Sequence, residues 1–209
     1  MVRRLLIPSL LLPLLSACGA PADTSKAEIP AELEALSVAT FAGGCFWCME
    51  PPFEVLDGVE AVYSGYTGGP EVDPEYREVA YGRTGHTEGV RVFYDPEEIT
   101  YEELLDVYWR QIDPTDAGGQ FADRGSQYRP EIFVHSPEQR KAAERSKKAL
   151  AESGRFDDPI VVPVTAAGPF YPAEEYHQDY HRKNPVHYKR YKRGSGREPF
   201  LERTWPDGE

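Results

Sequence analysis

The sequence predicts an α+β fold: a two-layer α/β sandwich with a ferredoxin-like βαββαβ core, a mixed or antiparallel sheet, and extra helices after it. Three observations lead there. Five short apolar or alternating runs, at residues 38–41, 59–66, 89–94, 132–135 and 160–164, have the length and period of strands. Between them stand two complete helix-start signals, Thr100 with Glu103 and Ser136 with Pro137 and Gln139. The order strand, helix, strand, strand, helix, strand requires two layers.

The first strand, 38–41, runs into Gly43-Gly44-Cys45-Phe46-Trp47-Cys48-Met49-Glu50. Pro51 and Pro52 are tolerated only in a first helical turn, so the helix is expected to begin near Met49 and end at Asp57-Gly58. Strand 59–66 is broken by Thr67-Gly68-Gly69-Pro70, and a polar loop carrying Tyr76-Arg77-Glu78-Val79 follows. Gly85-His86-Thr87-Glu88 leads directly into strand 89–94, which Asp95-Pro96 closes. The helix from Thr100 to about Ile112 puts Leu104, Leu105 and Tyr108 on one stripe. Residues 113–129 have no period, and loops of that length are commonly functional. After strand 132–135, a helix runs from Ser136 to Ser153-Gly154, and strand 160–164 follows. Residues 172–182 read as helical and are crowded with Tyr and His; the tail beyond Pro185 has no pattern, and the chain has no internal repeat.

The two ends of the domain read differently. Residues 1–18 are a targeting signal: Arg3 and Arg4 precede an apolar run over 5–15 that is too short to span a bilayer. Its end, Leu15-Ser16-Ala17-Cys18, resembles the lipobox of bacterial lipoproteins and makes Cys18 the expected lipidation site; the alternative is a secretory signal cut near Ala17 or Ala20. Residues 19–36 lack aromatics and read as a flexible tether, leaving 37–209 as the folded domain. This places the protein outside the cytoplasm, anchored by lipid or, if the signal is simply cut, soluble and secreted. The formal net charge is −12, and removal of the leader arginines leaves 21 basic against 35 acidic side chains. That balance argues against a nucleic-acid partner, which needs a basic face. The basic run Lys189-Arg190-Tyr191-Lys192-Arg193 reads as a solvated tail.

With Cys18 used by the leader, Cys45 and Cys48 remain as a pair in an oxidising compartment. A cysteine between glycines and a helix start is set where the thiolate is favoured over the thiol, which suits a nucleophile; the alternative is a small buried hydrophobe. Taken singly, Tyr76, Glu88, Asp123 and Tyr128 have ordinary surface or turn explanations.

Six motifs recur in order: 43–50; Gly65-Tyr66-Thr67-Gly68-Gly69; Tyr76-Arg77-Glu78-Val79; Gly85-His86-Thr87-Glu88; Gln127-Tyr128-Arg129; and His177-Gln178-Asp179-Tyr180. Together they resemble the A type of peptide methionine sulfoxide reductase over about residues 37–188. The resemblance implies reduction of the S epimer of methionine sulfoxide, free or in oxidised proteins. It implies no cofactor and no metal, but an external dithiol reductant such as thioredoxin. Cys45 would attack the sulfoxide sulfur, and Glu88, kept neutral by its surroundings, would protonate the leaving oxygen. Tyr76 and Tyr128 would donate to that oxygen, and Phe46 and Trp47 would wall the methyl group. Asp123, Tyr180 and Tyr188 would complete a pocket in what is expected to be a monomer.

The sequence departs from many relatives in one respect: no cysteine follows Cys48. Residues three apart on a helical turn lie roughly 5–6 Å apart, within disulfide range. A Cys45–Cys48 disulfide is therefore expected to resolve the sulfenic acid left on Cys45; the alternative is an external thiol. Two rival readings exist. A thioredoxin-like disulfide oxidoreductase would use Pro163 opposite the cysteine pair, and a surface lipoprotein would bind zinc through the cysteines with His86 or His135.

Overall fold

The computed structural model describes residues 24–206. The signal segment and Cys18 lie outside the described residues. The elements in chain order are β1 (Ser37–Ala42), α1 (Phe46–Glu54), β2 (Val59–Thr67), α2 (Tyr76–Ala80), β3 (Thr87–Tyr94) and α3 (Tyr101–Trp109). A hairpin of β4 (Gly119–Gln120) and β5 (Asp123–Arg124) follows, then β6 (Glu131–Val134), α4 (Pro137–Glu152), β7 (Val164–Ala166) and β8 (Phe170–Pro172). The chain closes with α5 (Tyr180–Lys183), α6 (Pro185–Gly194) and α7 (Arg197–Thr204).

Among the described residues one mixed sheet of six strands has the order β7-β6-β1-β3-β2-β8. The inner four, β6-β1-β3-β2, are the strands of the expected βαββαβ unit, and every pairing among them is antiparallel. Only β6 and β7 run parallel. The helical layer is locked to β1 through Phe41, whose ring stacks on Phe53 at 5.3 Å and on Tyr108 at 5.0 Å. Tyr108 also donates to the carbonyl of Ala42 at 2.9 Å, fixing the strand end from which the glycine turn departs.

The helix-start signals form as read. Glu103 N–H donates to Thr100 Oγ1 at 3.2 Å, Thr100 N–H donates to the Glu103 carboxylate at 2.8 Å, and Gln139 N–H donates to Ser136 Oγ at 3.1 Å. Thr100→Ala removes a cap that α3 uses on its exposed side. It is expected to lower stability by about 1 kcal/mol with no change in activity, read as a shift of the urea midpoint.

Several elements differ from expectation. Helix α1 begins at Phe46 rather than near Met49 and carries Pro51 and Pro52 inside it. The burial of Phe46, Met49 and Phe53 holds it despite the prolines. Within the expected tether, residues 25–27 are docked: Ala27 N–H donates to the Ala173 carbonyl at 3.0 Å, Lys26 bridges to Glu174, and Lys26 Nζ meets Asp73 at 2.8 Å. Backbone pairing of this kind is indifferent to the composition that suggested a tether. The expected strand over 160–164 starts only at Val164, because Pro163 has no N–H to enter the ladder. Tyr76 opens a short helix, not a loop, through a Glu75–Glu78 capping box. Residues 172–182 hold a strand end, a 3₁₀ turn at Glu175–His177 and α5 instead of one helix. The patternless tail forms α6 and α7.

Candidate active site

Cys45 caps α1 from the end of a turn that needs glycine. Gly44 sits at φ +82°, and a Cβ there would meet Gln120 and Arg197 at 2.7 Å. Strand β3 delivers Glu88 to the same point. The carboxylate accepts from the N–H of Phe46 at 3.1 Å, so it lies one residue along the backbone from the cysteine. Glu88 is 1% exposed, and burial raises its carboxyl to about 8, with the Phe46 N–H opposing and Asp123 adding to the rise.

Cys45 differs from expectation in its ionisation. A helix start was expected to favour the thiolate, but burial pushes the Cys45 thiol well above its usual range. Glu88, Cys48 and Asp123 push in the same direction, and a hydrogen bond with Tyr191 opposes them. Desolvation outweighs the fractional charge of a helix end. The resting site therefore pairs a neutral thiol with a neutral carboxylic acid.

Tyr76 and Tyr128 join this pair. Burial raises both phenols, Glu88 is the next cause for each, and Cys45 contributes to both. Tyr76 is placed by its own N–H, which donates to Glu174 at 3.0 Å; Tyr128 is placed by the 3₁₀ turn Ser126–Tyr128. Asp123, on the β5 strand, accepts a short hydrogen bond from Tyr191. The aromatic wall is continuous: Trp47 stacks on Tyr180 at 3.7 Å and 7°, and Phe46 lies 6.5 Å from Trp47. Tyr188 is half-buried with its ring against His181 at 5.9 Å; burial raises its phenol and Cys48 is the next cause.

Three residues that were given no role from sequence, two of them (Glu50 and His177) inside quoted motifs, stand at the site. Tyr191 touches Cys45, Asp123 and the edge of Trp47, and the spacing His187, Tyr188, Tyr191 was the helical signal for it inside the basic run. His177 accepts the Trp47 indole N–H at Nδ1 (3.0 Å) and packs on Tyr76 at 4.4 Å; burial holds it neutral, with its pKa lowered to about 4. Glu50 braces α1 from behind, accepting from Ser64 Oγ at 2.8 Å and Asp179 N–H at 2.7 Å.

The rival metal ligands are engaged elsewhere. His86 accepts from Gly69 N–H and contacts the Glu71 carbonyl, and His135 pairs with Thr40. Neither reaches the cysteines. Cys45 and Cys48 are both buried and free, and Cys48 N–H donates to the Cys45 carbonyl at 3.0 Å.

Comparison with known proteins gives the family. The family model described as peptide methionine sulfoxide reductase matches residues 37–209. The chain is 58% identical over 172 residues to the enzyme MsrA of Bacillus licheniformis, covering 82% of this chain and 95% of that one. It is 56% identical over 172 residues to MsrA of Listeria innocua, covering 82% and 97%. Among solved structures, reduced Mxr1 of Saccharomyces cerevisiae superposes with a TM-score of 0.68 at 34% identity, over 72% of this chain and 86% of that one. Methionine sulfoxide reductase A of Corynebacterium diphtheriae does so at 0.66 and 32%, over 86% and 92%. A buried cysteine and carboxylic acid side by side, an aromatic wall, and these matches along the whole domain give one conclusion: the chain belongs to the peptide methionine sulfoxide reductase family.

Proposed function

We propose that this reductase takes the S epimer of methionine sulfoxide, free and within oxidised proteins, and works through a Cys45–Cys48 disulfide that a thioredoxin-like dithiol reduces. The observation that carries the reading is the contact of Glu88 with the Phe46 N–H, which holds a protonated carboxyl beside the Cys45 thiol. The sulfoxide oxygen accepts hydrogen bonds from Glu88, Tyr76 and Tyr128, while its methyl group packs on Phe46 and Trp47. The Cys45 sulfur attacks as the S–O bond weakens under protonation. The thiol ends as a sulfenic acid, oxidised by two electrons, and the sulfoxide leaves as the thioether. Cys48 then attacks the Cys45 sulfur; an S–S bond replaces S–O, and the hydroxide departs as water with the proton from Cys48. Both cysteines lie in one helical turn, which supports this assignment. An external dithiol returns the pair to the reduced state.

The leader Arg3 to Cys18 supports a place outside the cytoplasm, on a lipid anchor at Cys18, where oxidised envelope proteins would be the substrates. The test is a single turnover: fully reduced protein and an S-sulfoxide peptide, with no added reductant, analysed by mass spectrometry. One methionine per protein with loss of two hydrogens is the expected result. In Cys48→Ser the methionine should still form and a sulfenic acid should remain. Full steady-state turnover of Cys48→Ser with a thioredoxin system would reject the internal disulfide.

A further inference from the structure

Arg197 is the largest fully buried side chain among the described residues, 1% exposed at the first position of α7. Its guanidinium reaches back across the fold to the nucleophile turn. Nη2 donates to the Gly43 carbonyl at 2.7 Å, Nη1 lies 3.6 Å from Met49 Sδ, and Nη1 also donates to the carbonyl of Gln111. Its face lies 4.8 Å from the centre of the Phe121 ring. It forms no ion pair with a carboxylate among the described residues. A buried charge that meets two carbonyls, a thioether sulfur and a ring face, with no carboxylate partner, is costly to keep. Gly43 and Met49 bracket Cys45 and Cys48, and Gly44 is the residue whose missing Cβ lets the guanidinium approach.

We propose that Arg197 is a positioning residue for the resolving step: it clamps the Gly43–Met49 turn and supplies the countercharge under which Cys48 attacks the Cys45 sulfenic acid as a thiolate. The proposal rests on Cys48 being the resolving thiol. Burial is the strongest influence against ionising Cys48, and Asp123 and Glu88 act in the same direction. Arg197 is the largest influence in favour, followed by Lys192 from α6. The step forms the Cys45–Cys48 bond and breaks the S–O bond of Cys45. The proton given up by Cys48 leaves with the hydroxide as water.

The experiment follows methionine and disulfide separately by rapid quench, in single turnover without reductant, across neutral and alkaline pH. It compares wild type, Arg197→Met and Arg197→Lys. Arg197→Met is expected to leave methionine formation within about threefold and to slow disulfide formation at least about tenfold, the effect of one pKa unit. Its pH midpoint for disulfide formation should move upward and sulfenic acid should accumulate. Equal loss in both steps, or an unmoved midpoint, overturns the proposal. If Arg197→Met does not fold, Arg197→Lys decides, since the shorter side chain withdraws the charge from the turn. Slower disulfide formation with unchanged methionine formation supports the role, and any other pattern overturns it. A wild-type protein that makes methionine but no disulfide rejects Cys48 as resolver, which is a different outcome from variants that resolve normally.

Discussion

Cys45→Ser is expected to abolish methionine formation, by at least about 10⁴-fold, even in a single turnover. The hydroxyl is nearly the size of the thiol, so the turn held by Gly44 and the Phe46 contact to Glu88 should persist. The lost quantity is nucleophilicity at sulfur and the capacity to hold the oxygen as a sulfenic acid. Cys48→Ser separates the two cysteines, because it keeps the first methionine and loses the second. Methionine counted per protein molecule checks this, with the thermal midpoint as the control for folding. A Cys45→Ser protein that still yields one methionine would move the nucleophile to another residue.

Glu88→Gln is expected to lower kcat/KM by roughly 10²- to 10⁴-fold, the range for loss of a general acid. The sign of the pH effect follows from the raised carboxyl. Glu88 is an acid below about 8 and a carboxylate above it, so wild-type activity should fall as pH rises through about 8. The Gln variant should be slow and lack that fall. Glu50 provides the control: burial raises its carboxyl to about 8 as well, yet it faces Ser64 and Asp179 behind α1. Glu50→Gln should keep the alkaline fall. If the fall survives in Glu88→Gln and vanishes in Glu50→Gln, the acid has been misassigned.

Much of this site is legible in the sequence because its parts lie in local motifs. Cys45, Phe46 and Trp47 are consecutive, Glu88 opens a strand, and the Thr100 and Ser136 caps are local hydrogen-bond patterns that sequence expresses directly. The exceptions are tertiary. His177 matters because β8 and the turn after it bring an imidazole under Trp47, across 130 residues of chain. Tyr191 and Arg197 come from helices whose polar composition hides their inward face. The Cys45 thiol runs against expectation for a related reason: helix position is written in sequence, but the depth of burial that overrides it is not. Residues 25–27 mislead in the opposite direction, since their pairing uses backbone atoms that every sequence carries.

The two prolines of α1 have a mechanical consequence. Pro51 and Pro52 would each have donated to the carbonyl four residues earlier, at Trp47 and Cys48, and they have no hydrogen to give. Two rungs are therefore missing from the ladder just behind the cysteine pair. The proposed Cys45–Cys48 disulfide would draw the sides of that turn together, and the resulting twist would meet a backbone with those bonds already absent. That turn sits against a frame of stacked rings, Phe41, Phe53 and Tyr108. Amide exchange in the first turn of α1 should then speed up little on oxidation, with the strain absorbed locally and the sheet left undisturbed.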